Sequence, residues 1–457
     1  MYDTSRPGCG RGRPSPLSPR VVAGDAALLR LAVPALGALV AEPLFLLADS
    51  AVVAALGTLP LAGLGVAGAL LSAAVSLFVF LAYGTTAAVA RSIGAGDRRG
   101  ALSLGVDGIW LALGLGALVA VPGVLLAPEA VAALGSSPAA APHAVTYLRW
   151  SLPGLPAMLV VLAATGVLRG LQDTRTPLLV AAAGAVLNAV ANVVLVHGAG
   201  LGIAGSAIGT AGTQLLMAAV LAAVVARAVR REGAPVRPHP LGVLRSARSG
   251  VPLLVRTLAL RVALLVTTYV AAAQGDSALA AHQVAMTVWT TAALALDALA
   301  IAAQALVGHA LGAGDTAGVR WTVQRTVAWG VLTGAVLGAA LAAGRHPLAA
   351  AFGESAAVRA DLAAAVLVLA LTLPLAGAVF VLDGVLIGAG DGRYLAATGV
   401  LVLLAYLPAA AAVLVLAPAG RTGLQWLWAV FAGGYTAARL VPLALRARGG
   451  AWLVTGA

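Results

Sequence analysis

Two acids, Glu42 and Asp49, stand inside a stretch apolar enough to cross a bilayer, RLAVPALGALVAEPLFLLADSAVVAALG over residues 30–57. A charged side chain near the middle of a spanning helix costs about 2.5–3.5 kcal/mol on insertion scales. A carboxylate kept in such a place is a candidate site for a proton, an ion or a substrate. The structural alternatives are an acid that snorkels to the interface or one held neutral by hydrogen bonds. Glu42 precedes Asp49 by seven residues, so the two share roughly one helix face. Two further acids interrupt apolar runs, Asp297 in LDALAIAAQALVG and Asp383 in LDGVLIGAGDGR. For these, pairing with Arg256 or Arg261 is the bland reading. Asn188 and Asn192 in VLNAVANVVLVHG are four apart and lie on one helical face. With Thr210 they could hydrogen-bond a carboxylate on a neighbouring helix, or serve as ordinary interhelical glue.

Enzyme chemistry finds little support. There is no HExxH, no GxxxxGK[ST] and no acidic cluster of the DDxxD type. The six His are scattered, and the single Cys9 excludes an intrachain disulfide. Neither catalytic residues, nor a metal, nor an organic cofactor is expected.

The elements that position these residues follow from composition. Of 457 residues, 61% are apolar and 10% charged, with a mean hydropathy of +1.00. Ordinary globular domains carry about 25% charged residues. The apolar runs do not alternate as barrel strands do, so the fold class is an all-α polytopic membrane protein. Twelve spans are expected, at 28–56, 61–92, 102–127, 143–170, 176–197, 202–228, 242–273, 279–311, 321–344, 357–388, 394–417 and 424–446. All 28 basic residues are Arg, and 22 fall on one side of this topology. By the positive-inside rule that side is cytoplasmic, with both termini. Residues 1–26 read as a disordered basic cytoplasmic tail, and 447–457 as a cytoplasmic C-terminal tail.

A single offset of 218 residues superposes the two halves without gaps at many landmarks. Arg30 meets Arg248, Pro34 meets Pro252, and GAGD at 94–97 meets GAGD at 312–315. Gly170, Asp173 and Arg175 meet Gly388, Asp391 and Arg393. Six spans per repeat make the repeats parallel, related by an axis along the membrane normal. The division is an N-lobe at 27–228, a linker at 229–241 and a C-lobe at 242–446. The repeated Asp residues read as turn and helix-end devices. The membrane acids do not recur: Asp49 meets Thr267, Glu42 meets Leu260, Asp297 meets Val79, and Asp383 meets Thr165.

These residues resemble the multidrug and toxic compound extrusion (MATE) transporters, especially their DinF-like bacterial branch. The resemblance spans residues 27–446 and rests on VPALGALVAEPLFLLADSAVVAALGTLPLAGLG, FLAYGTTAAVARSIGAGD, GVLRGLQDTRTPLLVAAAGAVLN, LGIAGSAIGT, LAAHQVAMTVWT and VLDGVLIGAGDGRYLA. It implies two six-helix bundles of the MATE/MOP type flanking a V-shaped cavity. It also implies export of organic, often cationic compounds by alternating access, driven by H⁺ or Na⁺, from the bacterial cytoplasmic membrane. Asp49 is similar to the first-helix coupling acid, with Asn188 and Thr210 as its partners; Asp383 is similar to a tenth-helix acid used in another branch. Pro34 resembles a first-helix proline where that helix can bend, and Pro43 lies in the same helix. Asn192 stands where many relatives carry a second acid, and Phe45 where they carry a tyrosine. The coupling cluster is therefore expected to hold fewer ionisable and hydroxyl groups than in those relatives, favouring H⁺ at Asp49. Glu42, Phe45 and Asp297 are the substrate-cavity candidates. A monomer exchanging small cationic organic substrates for H⁺, with no nucleic-acid partner, is the expected working unit; Na⁺ coupling, and a flippase of lipid-linked precursors, are the alternatives.

Overall fold

The computed structural model describes residues 24–353 and 355–456. Most of the basic tail, including Cys9, lies outside the described residues. Those residues form twelve helices long and apolar enough to span a membrane. In the first half these are α1 Asp25–Ala54, α2 Thr58–Gly94, α3 Arg98–Leu125, α4 Ala141–Gly170, α5 Arg175–Gly198 and α6 Gly202–Arg231. The second half holds α7 Pro240–Ala272, α8 Asp276–Gly312, α9 Thr316–Phe352, α10 Ala356–Gly388, α11 Gly392–Leu416 and α12 Arg421–Arg448. There is no strand among the described residues. The fold is a multi-pass helical membrane protein, as the apolar periodicity predicts.

The spans run longer than expected because their ends leave the apolar zone without breaking. The largest difference is α9, expected at 321–344 and observed over Thr316–Phe352. The helix runs eight residues past the expected end and continues through Pro347. A short helix at Ala127–Ala133 follows α3 and has no counterpart in the sequence reading.

Several spans are interrupted. α2 breaks at Phe78–Val79, between Thr58–Leu77 and Phe80–Gly94. α4 tightens to a 3₁₀ turn over Leu152–Gly154, where Pro153 removes a backbone donor. α5 and α12 contain π-helical turns at Val194–Gly198 and Ala429–Tyr435. α1 stays helical through both Pro34 and Pro43.

The repeat is written into the turns. Asp97 caps α3 by accepting from Gly100 N at 2.7 Å, and Asp315 caps α9 by accepting from Gly318 N at 2.8 Å. Asp173 accepts from the backbone of Arg175 and Thr176 in the same manner. Its repeat partner Asp391 instead takes the Arg446 guanidinium at 2.7 Å. Gln172 has φ 62°, and its repeat position is Gly390 at φ 76°. The face carrying these turns, with the start of α1 and the end of α12, is called here the basic face.

One apolar core lies wholly in the second half, around Leu296, Leu362, Leu369, Trp428 and Phe431. A smaller one lies in the first half, around Val89, Val167, Leu221 and Val229. The largest core joins residues of both. The halves meet mainly through α8, which packs on α1 and on the second segment of α2. Ala35 on α1 clusters with Ala298 and Ile301 on α8. A Cβ on Gly94 would sit 1.9 Å from His309 O, and one on Gly312 would sit 1.9 Å from Arg91 O. Backbone therefore touches backbone where α2 and α8 reach the basic face. The repeat also exchanges contacts there: Asp107 on α3 accepts from His239 N at the start of α7 at 2.8 Å. Arg325 and Trp329 on α9 hold Asp25 at the start of α1.

Candidate functional site

α1 delivers Asp49 into the interior of the first half, where it is 2% exposed. Three donors from three other helices converge on its carboxylate. Tyr147 Oη on α4 donates to Oδ2 at 2.7 Å. Asn192 Nδ2 on α5 and Ser206 Oγ on α6 each donate to Oδ1 at 2.5 Å. Behind them, Asn192 Nδ2 also donates to Asn188 Oδ1 at 3.2 Å, and Asn188 Nδ2 donates to Thr210 Oγ1 at 3.1 Å. Asn188 and Asn192 are fully buried. The result is a directed chain, Thr210 ← Asn188 ← Asn192 → Asp49, spanning α6, α5 and α1. All its donors point toward acceptors in the sense that suits an ionised carboxylate. One buried acceptor is left over: Asn192 Oδ1 has no partner. It lies against the α6 backbone, 2.4 Å from where a Cβ on Gly209 would stand.

Four residues expected to form the coupling site, Asp49, Asn188, Asn192 and Thr210, are thus brought together. The cluster also holds two hydroxyls that the sequence reading does not name. Phe45 supplies no hydroxyl, but Tyr147 and Ser206 do, from α4 and α6. Ser206 had a legible signal, since it lies one helical turn before Thr210 on the same face. Tyr147 had one as well, since His143, Tyr147 and Ser151 fall four apart on one face of α4.

Asp383 is elsewhere and is not free. Arg256 on α7 engages both its oxygens, with Nε at 3.3 Å, and Arg439 Nη2 on α12 adds a third contact at 2.5 Å. Its side chain is only 7% exposed. The pairing partner is Arg256 rather than Arg261, joined by an unforeseen second cation. An acid held by two guanidiniums is an ion pair within the second half, not an open acceptor of ions.

Asp297 faces the other half. Tyr83 Oη on α2 approaches its two oxygens at 3.3 and 3.4 Å, and Arg169 and Arg256 are the cations that act on it. Just below, Gln304 Nε2 on α8 donates to Tyr83 O at 2.5 Å. Glu42 is exposed and Phe45 half-buried. Glu42 lies one turn beyond Leu39, which packs with Ala35 against α8. That turn faces the second half, so Glu42 and Asp49 do not share surroundings as their seven-residue spacing predicts: Asp49 is buried among first-half donors. Among the described residues no group of His, Cys, Asp or Glu could hold a metal ion.

The arrangement defines a membrane transporter: two repeated helical bundles, a buried acid in one of them, and a polar seam between them. The MatE family model matches residues 34–194 and again 252–413, once in each half of the repeat. The chain belongs to this family of multidrug and toxic compound efflux transporters, and it is not an enzyme. It is 32% identical over 391 residues to Protein DETOXIFICATION 44, chloroplastic, of Arabidopsis thaliana, covering 82% of this chain and 74% of that one. It is 30% identical over 300 residues to DNA damage-inducible protein F of Escherichia coli, 65% of either chain. A probable multidrug resistance protein NorM of Bradyrhizobium diazoefficiens is 29% identical over 391 residues, covering 80% of this chain and 81% of its own. In fold, a Vibrio cholerae MATE transporter superposes with a TM-score of 0.84 at 21% identity, over 95% of this chain and 98% of that one. A MOP superfamily transporter from Pyrococcus furiosus gives 0.83 at 22% identity, over 92% and 94%.

Proposed function

We propose that this transporter is an antiporter that exports cationic organic compounds in exchange for protons, with Asp49 as the proton carrier. The observation that carries the reading is the buried Asp49 with its three donors and the orphaned acceptor beside them. Removing a carboxylate from water penalises its charged form, so exchange with a proton is the natural way to relieve it. Hard metal cations ask for a shell of oxygen ligands, whereas the groups on Asp49 present N–H and O–H.

Protonation reverses what Asp49 needs. A carboxylate accepts, but a carboxylic acid must donate one hydrogen bond. A half-turn of the Asn192 amide brings its unpartnered Oδ1 to that proton. Asn188 then turns its own amide to donate to Asn192, and the Thr210 hydroxyl donates to Asn188. The chain from α1 through α5 to α6 thereby switches polarity with no new residue. Because α1 also carries Pro34 and Pro43, it is the element whose bending the switch would bias. Substrate and proton bind in opposition, so each lowers the affinity for the other.

Glu42 and Phe45, on the side of α1 turned to the second half, would line the substrate path, Glu42 attracting cations. The halves at 27–228 and 242–446 would rock as lobes about the seam on α8, with 229–241 joining them. One chain holds both lobes, so a monomer suffices. The arginine bias supports a cytoplasmic position for the basic face, in a bacterial membrane. A flippase would want free cations in a central cavity, and here Arg256 and Arg439 are engaged by Asp383. The test is efflux of ethidium from proteoliposomes under a pH gradient or a Na⁺ gradient imposed separately. Export driven by Na⁺ alone would overturn the reading.

A further inference from the structure

Residues 449–456 turn back beneath the basic face and lie across the seam between the halves. Trp452 anchors the segment, 2% exposed, with its indole N–H donating to Ala447 O and Gly449 O at 3.3 and 3.1 Å. Past it, a single side chain of the first half takes hold. Arg91, near the basic-face end of α2, donates from Nε to Gly456 O at 2.6 Å and from Nη2 to Val454 O. Its Nη1 donates to Ala389 O, just past the end of α10, at 2.9 Å. Gly456 N donates in turn to Leu311 O, in the last turn of α8, at 3.1 Å.

Chemistry explains why these partners meet. The last carbonyls of a helix have no partner within it. Ala389 O, just past α10, finds its partner in Arg91, and Leu311 O, which already accepts from Gly314 N at 3.1 Å, takes Gly456 N of the tail on its second lone pair. The planar guanidinium offers five N–H groups in a fixed fork, and here it gathers three backbone carbonyls at once. Gly456 adopts φ 92°, a conformation open to glycine and rarely to other residues. The repeat adds a contrast. The first-half counterpart of residues 449–456 is 231–238, the linker into α7. There the chain ties the halves covalently, with Val236 O accepting from Trp110 at 3.4 Å. In the second half the same register is a segment that meets the other half through hydrogen bonds.

We infer that residues 449–456 are a strap whose docking site is Arg91 and the α8 terminus. Docked, it holds the basic-face ends of α2 and α8 together; undocked, it lets them part. The closed seam has backbone against backbone at Gly94 and Gly312, so it cannot open while Arg91 keeps all three carbonyls. The strap therefore sets how much of the transporter stands closed on this face.

The test uses the full chain in lipid nanodiscs, with Cys9→Ser and spin labels at Arg99→Cys and Ala317→Cys, exposed sites flanking the seam. Pulsed dipolar spectroscopy then reads the distance between the two labels. Deleting residues 450–457, or making Arg91→Ala, should raise the open-to-closed ratio ~10-fold or more, as expected for losing charge-assisted bonds. Gly456→Pro removes only the donor to Leu311 and the permitted φ, and should shift the ratio the same way. A synthetic peptide of residues 449–457 added to the truncated chain should restore the short distance. Unchanged distributions in the truncated chain, Arg91→Ala and Gly456→Pro, each eluting as a folded particle, would overturn the inference.

Discussion

Asp49→Asn puts the coupling proposal at risk most directly. The amide keeps the shape of the protonated acid and can never carry charge. In the native cage two donors, Asn192 Nδ2 and Ser206 Oγ, share Oδ1, and Tyr147 takes Oδ2. In the variant one of these two acceptor positions becomes an NH₂ group. If it replaces Oδ1, it meets Asn192 Nδ2 donor to donor, and relief comes from turning Asn192 so that its orphaned Oδ1 accepts. The variant should therefore fold, locked in the protonated arrangement. Bonds to a charged acceptor contribute about 1.5–3 kcal/mol and neutral ones about 1, so the loss of charge stabilisation is offset by no longer burying a charge. Transport should fail differently from folding. One proton moving down one pH unit supplies ~1.4 kcal/mol, enough for a roughly tenfold concentration ratio of a substrate exchanged one for one. Wild-type proteoliposomes should approach that ratio for a monovalent dye. The variant should show a ratio of about one, while still exchanging labelled for unlabelled dye without a gradient. A variant that retains the tenfold accumulation under a pH gradient would refute the assignment of Asp49, whatever its stability.

Gly209→Ala should drive a methyl into Asn192 Oδ1, which lies 2.4 Å from the new atom; overpacking of about 1–3 kcal/mol should appear as a lowered melting temperature together with weakened coupling. Thr210→Val removes the far end of the amide chain, leaving Asn188 without its acceptor at 3.1 Å. Because one buried donor is then unpaired, proton-driven efflux should fall ~10-fold, with dye affinity unchanged in equilibrium binding. Glu42→Gln should weaken binding of cationic dyes several-fold and leave neutral substrates unaffected, measured by fluorescence titration of both; equal effects on the two would sink the cation-attracting role. Arg256→Gln leaves Asp383 with Arg439 alone, and breaking a buried pair costs about 3–5 kcal/mol; thermal unfolding should reveal it, and a wild-type melting curve would argue that Arg439 suffices.

The twelve spans were legible because the bilayer imposes length and hydropathy on each of them, and the repeat because Pro, Gly, Asp and Arg recur in register at turns. The chemistry was legible only where helical spacing carried it. Asn188 and Asn192 share a face by their own separation, so their convergence on a neighbouring acid could be anticipated. Tyr147 shares a face of α4 with His143 and Ser151, four residues to either side, but that spacing does not say which helix the face meets. Arg439 reads as one more basic residue near a helix end, and only the packing of α12 on α10 turns it inward to Asp383. Arg91 and the C-terminal segment are further still from a local signal, since their bonds join positions 363 and 365 residues apart.

The loss of an acid between repeats was a useful filter, yet the acids it selected do three different things. Asp49 is buried among neutral donors and can change charge without stranding a counter-ion. Asp383 cannot, because Arg256 and Arg439 would then be two buried cations without an anion. Asp297 lies between these cases, loosely approached by Tyr83 across the seam and flanked by Arg169 and Arg256. Its partners belong to both halves, so rocking the halves must change its surroundings, whereas the cage of Asp49 travels with the first half. A proton carrier needs the second property, a fixed cage whose hydrogen bonds reverse. A latch needs the first, contacts that exist in one orientation of the lobes and not in the other. Asymmetry between repeats therefore marks both jobs, and the identity of the neighbours, amide and hydroxyl or guanidinium, is what tells them apart.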